Sequence, residues 1–432
     1  MRTSFKLLSC IVFISLLSVT RAGAFSILAH EAIIDAEWDI GIKPLLVKKF
    51  GNISGPQYKE AHSYAYGGGL MADMGYMPGG NALFTDLLHY VRSGDFVINL
   101  LNQAHTLNEY AFALGAVSHY MADKYGHSMA TNLTVPLVYP ELRKKFGDTV
   151  TYGEDHTSHS RMEFTYDVLQ VSEGSYASNA YHDFIGFNMA VPLVERAFKI
   201  TYGQNLNEYF KDINSNINTF RWGIRNLFPR LIKKSGKAHK NTIEEMNPTP
   251  VAKVFRYRMK RHMFNLEYGK KKRTQSFMAS VLSGLVTILP KIGPLKSLKF
   301  VDPTPKGEQL FAESFKEIIK NYSAALTDAG SNQLVLPDIN FDTGHATHLG
   351  EYHLADEAYA KLMVKLHEDN FSNLTPALKQ HIAEFYKNAK PDTFSDIKKE
   401  KERKKVITAL QALKKAKPIA AISIEETAAA QK

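Results

Sequence analysis

The sequence predicts an all-α protein. Apolar residues recur at spacings of three and four along most of its length, and alternating β-branched runs are scarce. One segment also opens with a complete helix-capping signature, Thr106-x-x-Glu109. The helix started there runs through Tyr110-Ala-Phe-Ala-Leu-Gly-Ala-Val-Ser-His-Tyr-Met-Ala-Asp123, and Gly126 is placed to end it. Upstream, Gly67-Gly68-Gly69 and Pro78-Gly79-Gly80 read as the flanks of a loop that carries Asp73. The polar stretch Ser235–Pro250, ending in Asn-Pro-Thr-Pro, separates a first region, 25–240, from a second, 250–390. The second is also expected to be helical, with a proline-punctuated loop at Leu289–Pro305. Residues 391–432 form a Lys/Glu/Ala-rich basic tail, helical or disordered, and no internal repeat is present.

The chain has 432 residues, 44% of them hydrophobic and 22% charged, which excludes a disordered, collagen-like or disulfide-stapled protein. Its single cysteine, Cys10, lies in a segment with the features of a secretion signal. Arg2 and Lys6 precede an apolar run from Leu7 to Val19, and Ala22-Gly23-Ala24 follows as a small-x-small cleavage site. Residues 1–24 are therefore expected to be a signal peptide, giving a secreted or periplasmic chain that starts at Phe25. The 53 bases against 43 acids give a net charge of +10, falling to +7 without residues 1–24. Residues 397–417 carry nine bases and two acids, which accounts for that whole excess. The charge is a property of the tail and is no sign that the body binds nucleic acid.

Eight of the sixteen histidines fall between His30 and His159. His119 and Asp123 stand four apart on the capped helix, so both project from one face. An imidazole nitrogen and a carboxylate oxygen at that spacing reach one ion, a donor pair suited to zinc. His159 and Glu163 repeat the arrangement, and with Gly126 breaking the helix, His127 can serve a second ion. A single such pair is ordinarily a solvated surface contact. Two pairs, with His127 and His89 nearby, point to a metal site.

The order Phe25-Ser-Ile-Leu-Ala-His30, Ala72-Asp73, His89, His119-x3-Asp123-x3-His127 and His159-x3-Glu163 resembles the zinc-dependent phospholipase C family. It is also similar to the related single-strand nucleases that share a trinuclear zinc fold. The resemblance covers about residues 25–200 and implies three zinc ions. Asp73, His89, His119 and Asp123 would hold one, and His127, His159 and Glu163 another. His30, a bridging Asp123 and the amino group and carbonyl of Phe25 would hold the third. An α-amine with a pKa near 8 is readily deprotonated by a metal, which gives the cut after Ala24 a chemical meaning. Phe25 stands where the family usually has tryptophan, and Ala72 where proline is common. The short step from Asp123 to His127 looks more like the branch containing the glycosylphosphatidylinositol-specific phospholipase D.

The resemblance implies phosphodiester hydrolysis by a metal-activated water, with Asp73 as general base or orienter. A phospholipase C acting on phospholipids is the first expectation. A phospholipase D-like or nuclease activity at the same metals, and a non-catalytic surface-binding protein, are the alternatives. Phospholipid is the expected partner, with peripheral contact at a membrane surface, and nucleic acid enters only as an alternative substrate.

Other features read otherwise. The uneven spacing in His345-Ala-Thr-His348-Leu-Gly-Glu351-Tyr-His353 favours capping and packing over a metal site. Phe277–Leu289 is apolar but too short to span a bilayer, so a buried helix is the default. Tyr64, Tyr66, Tyr76 and Phe84 lie near Asp73 and fit either a headgroup pocket or the core. The expected outcome of N-terminal sequencing with metal analysis is Phe25 first and three equivalents of zinc. A start elsewhere removes the terminal ligand.

Overall fold

The structure is a computed structural model that describes residues 27–77, 79–172, 187–245, 293–390, 394 and 400–422. Residues 1–24, Phe25, the basic stretches Lys253–Arg261 and Lys270–Arg273 and the apolar run Phe277–Leu289 lie outside the described residues. Among the described residues the protein is all-α, without a strand. None of these helices is long and apolar enough to cross a membrane.

The helix Leu107–Gly126 is the axis of the structure. At its start Thr106 Oγ1 accepts from Glu109 N at 3.2 Å, and Glu109 Oε2 accepts from His105 N at 2.9 Å. From Tyr110 to Asp123 every side chain is buried, so this helix has no solvent face and must be covered on all sides. The helices Gly55–Leu70, Ser93–Asn102 and Thr304–Gly330 supply that cover. Tyr322, from the last of them, donates to the Leu114 carbonyl at 3.0 Å. The tail contributes the helix Glu400–Lys415, which buries Val406, Ala409 and Leu413 and packs on His353–Glu368.

Two expectations are corrected. Gly67-Gly68-Gly69 do not flank a loop. They lie inside the helix Gly55–Leu70, and Asp73 sits in the tight 3-10 turn Met71–Tyr76 that follows. The glycines serve the crossing with the central helix. A Cβ on Gly68 would stand 1.9 Å from Phe112 O, and one on Gly115 would stand 1.9 Å from Ala65 O. Backbone meets backbone here, and no side chain fits between. The α-helix does end at Gly126 as expected, but Gly126 does not break the path of the chain. It stays right-handed (φ −66°, ψ −46°), and the chain widens into a π turn, His127–Thr131. His127 is redirected by that wider turn rather than by a break.

Gly115→Ala is expected to cost at least about 1–3 kcal/mol of stability through overpacking. Urea denaturation reads this as a lower midpoint, and an unchanged midpoint contradicts the close crossing.

Candidate metal centre

Each candidate donor is placed by local structure. His30 lies in the helix Ile27–Glu37 and is fully buried. Asp73 is held through Thr85, whose hydroxyl donates to Ala72 O at 2.6 Å and accepts from Gly75 N at 3.0 Å. His89 is the penultimate residue of the helix Ala82–Tyr90. His159 and Glu163 share a face of His156–Ser172, whose start Asp155 caps by accepting from Ser158 N at 2.7 Å.

These donors converge. Asp123 Oδ2 lies 3.2 Å from His119 Nε2 and 3.3 Å from His89 Nε2, while its Oδ1 lies 3.5 Å from His30 Nε2. Asp73 Oδ1 is 3.5 Å from His89 Nε2. In a second cluster Glu163 Oε1 lies 3.1 Å from His159 Nε2 and 3.4 Å from His127 Nε2. Three sets of donors gather within 4.8 Å: Asp73, His89 and His119; His30, His119 and Asp123; His127, His159 and Glu163. Having one nitrogen to offer, His119 can serve only one of the first two. Phe25, expected as a ligand, lies outside the described residues.

The donor sets fit metal ions. Two atoms about 2.0–2.1 Å from one tetrahedral zinc stand about 3.4 Å apart, and the distances from imidazole Nε2 to carboxylate oxygen here run from 3.1 to 3.5 Å. Both oxygens of Asp73 and of Asp123, His119 Nε2 and both ring nitrogens of His159 are buried and make no hydrogen bond of ordinary geometry within the protein. Such groups are costly to leave unsatisfied, and an ion shared between them removes the cost. The ring orientation is set from behind. His89 Nδ1 lies 2.9 Å from Thr85 O and His119 Nδ1 lies 3.0 Å from Gly69 O, so each donates Nδ1–H to a carbonyl and presents Nε2.

Another buried histidine shows the contrast. His62 Nε2 lies 3.0 Å from Asp35 Oδ1, which also accepts from Tyr66 at 2.5 Å, and its ring stacks on Trp38 at 3.9 Å. There the imidazole nitrogen has a carboxylate partner at hydrogen-bond distance. Of the four aromatics near Asp73 in sequence, Phe84 packs on Phe198 and Phe210, and Tyr66 is taken up by Asp35. Tyr64 is half-buried. Tyr76 alone approaches the donors, 6.0 Å from the His89 ring and 6.0 Å from Tyr152, which lies 5.6 Å from His159.

The spacing argument missed Asp342. Its Oδ1 lies 3.3 Å from His127 Nδ1, and Tyr90 donates to its Oδ2 at 2.7 Å. Burial opposes ionisation of Asp342, but His127 outweighs it and brings the carboxyl down to about 2. Burial likewise opposes a charged Asp123 carboxyl, yet His119 and His127 hold it well below the usual range. Burial keeps His30 neutral, lowering its pKa further together with His119.

Helices around clustered, buried imidazoles and carboxylates define a class: an all-α protein with a candidate multinuclear metal centre. Residues 30–212 match the family model described as zinc dependent phospholipase C. The match includes every candidate donor from His30 to Glu163. Comparisons with curated proteins and with solved structures returned no match.

In the metal-free chain burial works against protonation of His89, but Asp123 and Asp73 prevail and raise its pKa to about 10. A cation binding at Nε2 must displace that proton. Zinc affinity is therefore expected to rise with pH between about 6 and 9. Calorimetry in buffers of different ionisation enthalpy should register proton release, and none would contradict these donors.

Proposed function

We propose that this chain is a secreted zinc phosphodiesterase that hydrolyses phospholipids as a phospholipase C. The observation that carries the reading is Asp123, buried with one oxygen toward His89 and His119 and the other toward His30. A carboxylate turned two ways at these distances is the bridge a multinuclear hydrolytic centre needs. Bound zinc supplies Lewis acidity to a phosphoryl oxygen and makes water nucleophilic near neutral pH. The protein supplies the positions. His89 and His119 are held by backbone carbonyls in the tautomer that presents Nε2. Asp73 has two oxygens without a hydrogen bond, so one can ligate while the other accepts a proton from attacking water. Tyr76 and Tyr152 lie beside the two clusters as aromatic walls for a substrate.

The removal of residues 1–24 fits this chemistry, because it places an α-amine five residues before His30. Contact with lipid would be peripheral, with the basic helix Glu400–Lys415 available to an anionic surface.

Incubation with phosphatidylcholine, a glycosylphosphatidylinositol and single-stranded DNA tests the reading. Release of phosphorylated headgroup is expected. Phosphatidic acid with unphosphorylated headgroup would turn the assignment to phospholipase D chemistry, and cleavage of DNA alone to a nuclease. Turnover of none would leave a surface-binding protein. Asp73→Asn is expected to lower kcat by about 10²–10⁴-fold, and a variant with wild-type kcat would remove Asp73 from the chemistry.

A further inference from the structure

The stretch Leu334–His345, beyond the long helix Thr304–Gly330, runs as a strap across the metal centre. Tyr120 donates to Pro337 O at 2.7 Å, and Ser93 Oγ both donates to Ile339 O (2.7 Å) and accepts from Ile339 N (3.0 Å). Phe341 N donates to the carbonyl of His89 at 3.0 Å, and its ring lies 5.3 Å from His89 and 5.8 Å from His119. Asn132 Nδ2 donates to Asp342 O at 2.6 Å. The residue before Asp342 is thus tied to the helix that carries His89, and the Asp342 carbonyl to Asn132, directly after the turn that carries His127.

That carboxylate is buried and divided between two tasks. Oδ2 accepts from the hydroxyls of Tyr90 and Tyr352, which fixes its plane, and Oδ1 faces His127 Nδ1 at 3.3 Å. The opposite nitrogen of the same ring, Nε2, faces Glu163. His127 therefore spans the gap between a fixed carboxylate and the donor set of His159 and Glu163. A carboxylate behind a metal-binding imidazole holds the proton on the far nitrogen, fixes the ring and makes the near nitrogen a stronger donor. His89 and His119 receive the same service from neutral carbonyls. Behind His127 the corresponding group is a charged carboxylate at ion-pair distance.

We propose that Asp342, carried by a strap outside the family-matched segment, is a positioning residue for the His127–His159–Glu163 ion. It selects which nitrogen of His127 meets that ion and tightens that one site. The inference rests on the zinc reading of the cluster, and it makes the C-terminal region part of the metal centre.

Titration of the full-length zinc-loaded chain with chelators of graded strength tests it. Asp342→Asn should weaken one zinc equivalent by about 10–100-fold and leave the others at wild-type affinity. Cobalt substitution should show a changed ligand-field spectrum for that equivalent alone. Wild-type affinity for every equivalent in Asp342→Asn, even with a lowered Tm of the metal-free chain, would overturn the proposal, since the residue would then only anchor the strap. Should Asp342→Asn not fold, Tyr90→Phe removes one hydroxyl from Oδ2 and should loosen the same equivalent several-fold; unchanged affinity there overturns the proposal equally. A wild-type chain that takes up no zinc defeats the metal reading and this inference together. That failure is distinct, because in the others the wild type loads fully.

Discussion

The constraint on which the structure turns is a carboxylate, Asp123, with no exposure to solvent and three imidazole rings around it. An ionised group in that position is destabilising by several kcal/mol unless opposite charge compensates it. The imidazoles around it come from three separate elements, Ile27–Glu37, Ala82–Tyr90 and the helix that carries Asp123 itself. The deep burial of the helix Leu107–Gly126 follows from this: it carries both Asp123 and His119, so it has to sit at the centre with its neighbours closed around it.

Close approach of backbones is how the fold achieves that. The helix Gly55–Leu70 crosses the central helix at Gly68 and Gly115, where carbonyl oxygens occupy the space a methyl group would take. The tight crossing brings Gly69 O to His119 Nδ1, so the glycine run that packs the two helices also fixes the imidazole's tautomer. Packing and ligand chemistry are here the same contact.

Two sets of buried histidines show how function separates from structure. His62 makes its pairing with Asp35, which is shared with Tyr66, and is covered by Trp38. The pairs around Asp123 and Glu163 face each other at distances set for a common partner, and several of their atoms make no hydrogen bond in the protein. Composition alone does not distinguish the two sets. The difference is whether the polar atoms are satisfied by one another.

Much of the centre was legible in the amino-acid order because helical geometry is local. A four-residue step puts His119 beside Asp123 and His159 beside Glu163 whatever the rest of the chain does, and Thr106 and Glu109 mark where the first of those helices begins. Glycine was less readable. The same triplet suits a loop or a close crossing, and only the position of Phe112 O, 1.9 Å from where a Cβ on Gly68 would stand, decides for the crossing. Asp342 left no local trace at all. It meets Tyr90 across 252 residues, and a contact of that span depends on the strap being threaded through a formed core. The helical class and the donors paired along single helices were readable from the order of residues, since they depend on spacings of a few residues. Which donors from different helices come within reach of one ion, and that Asp342 of the C-terminal region reaches His127, was decided by tertiary packing, because distance in space between elements is set only when their faces close.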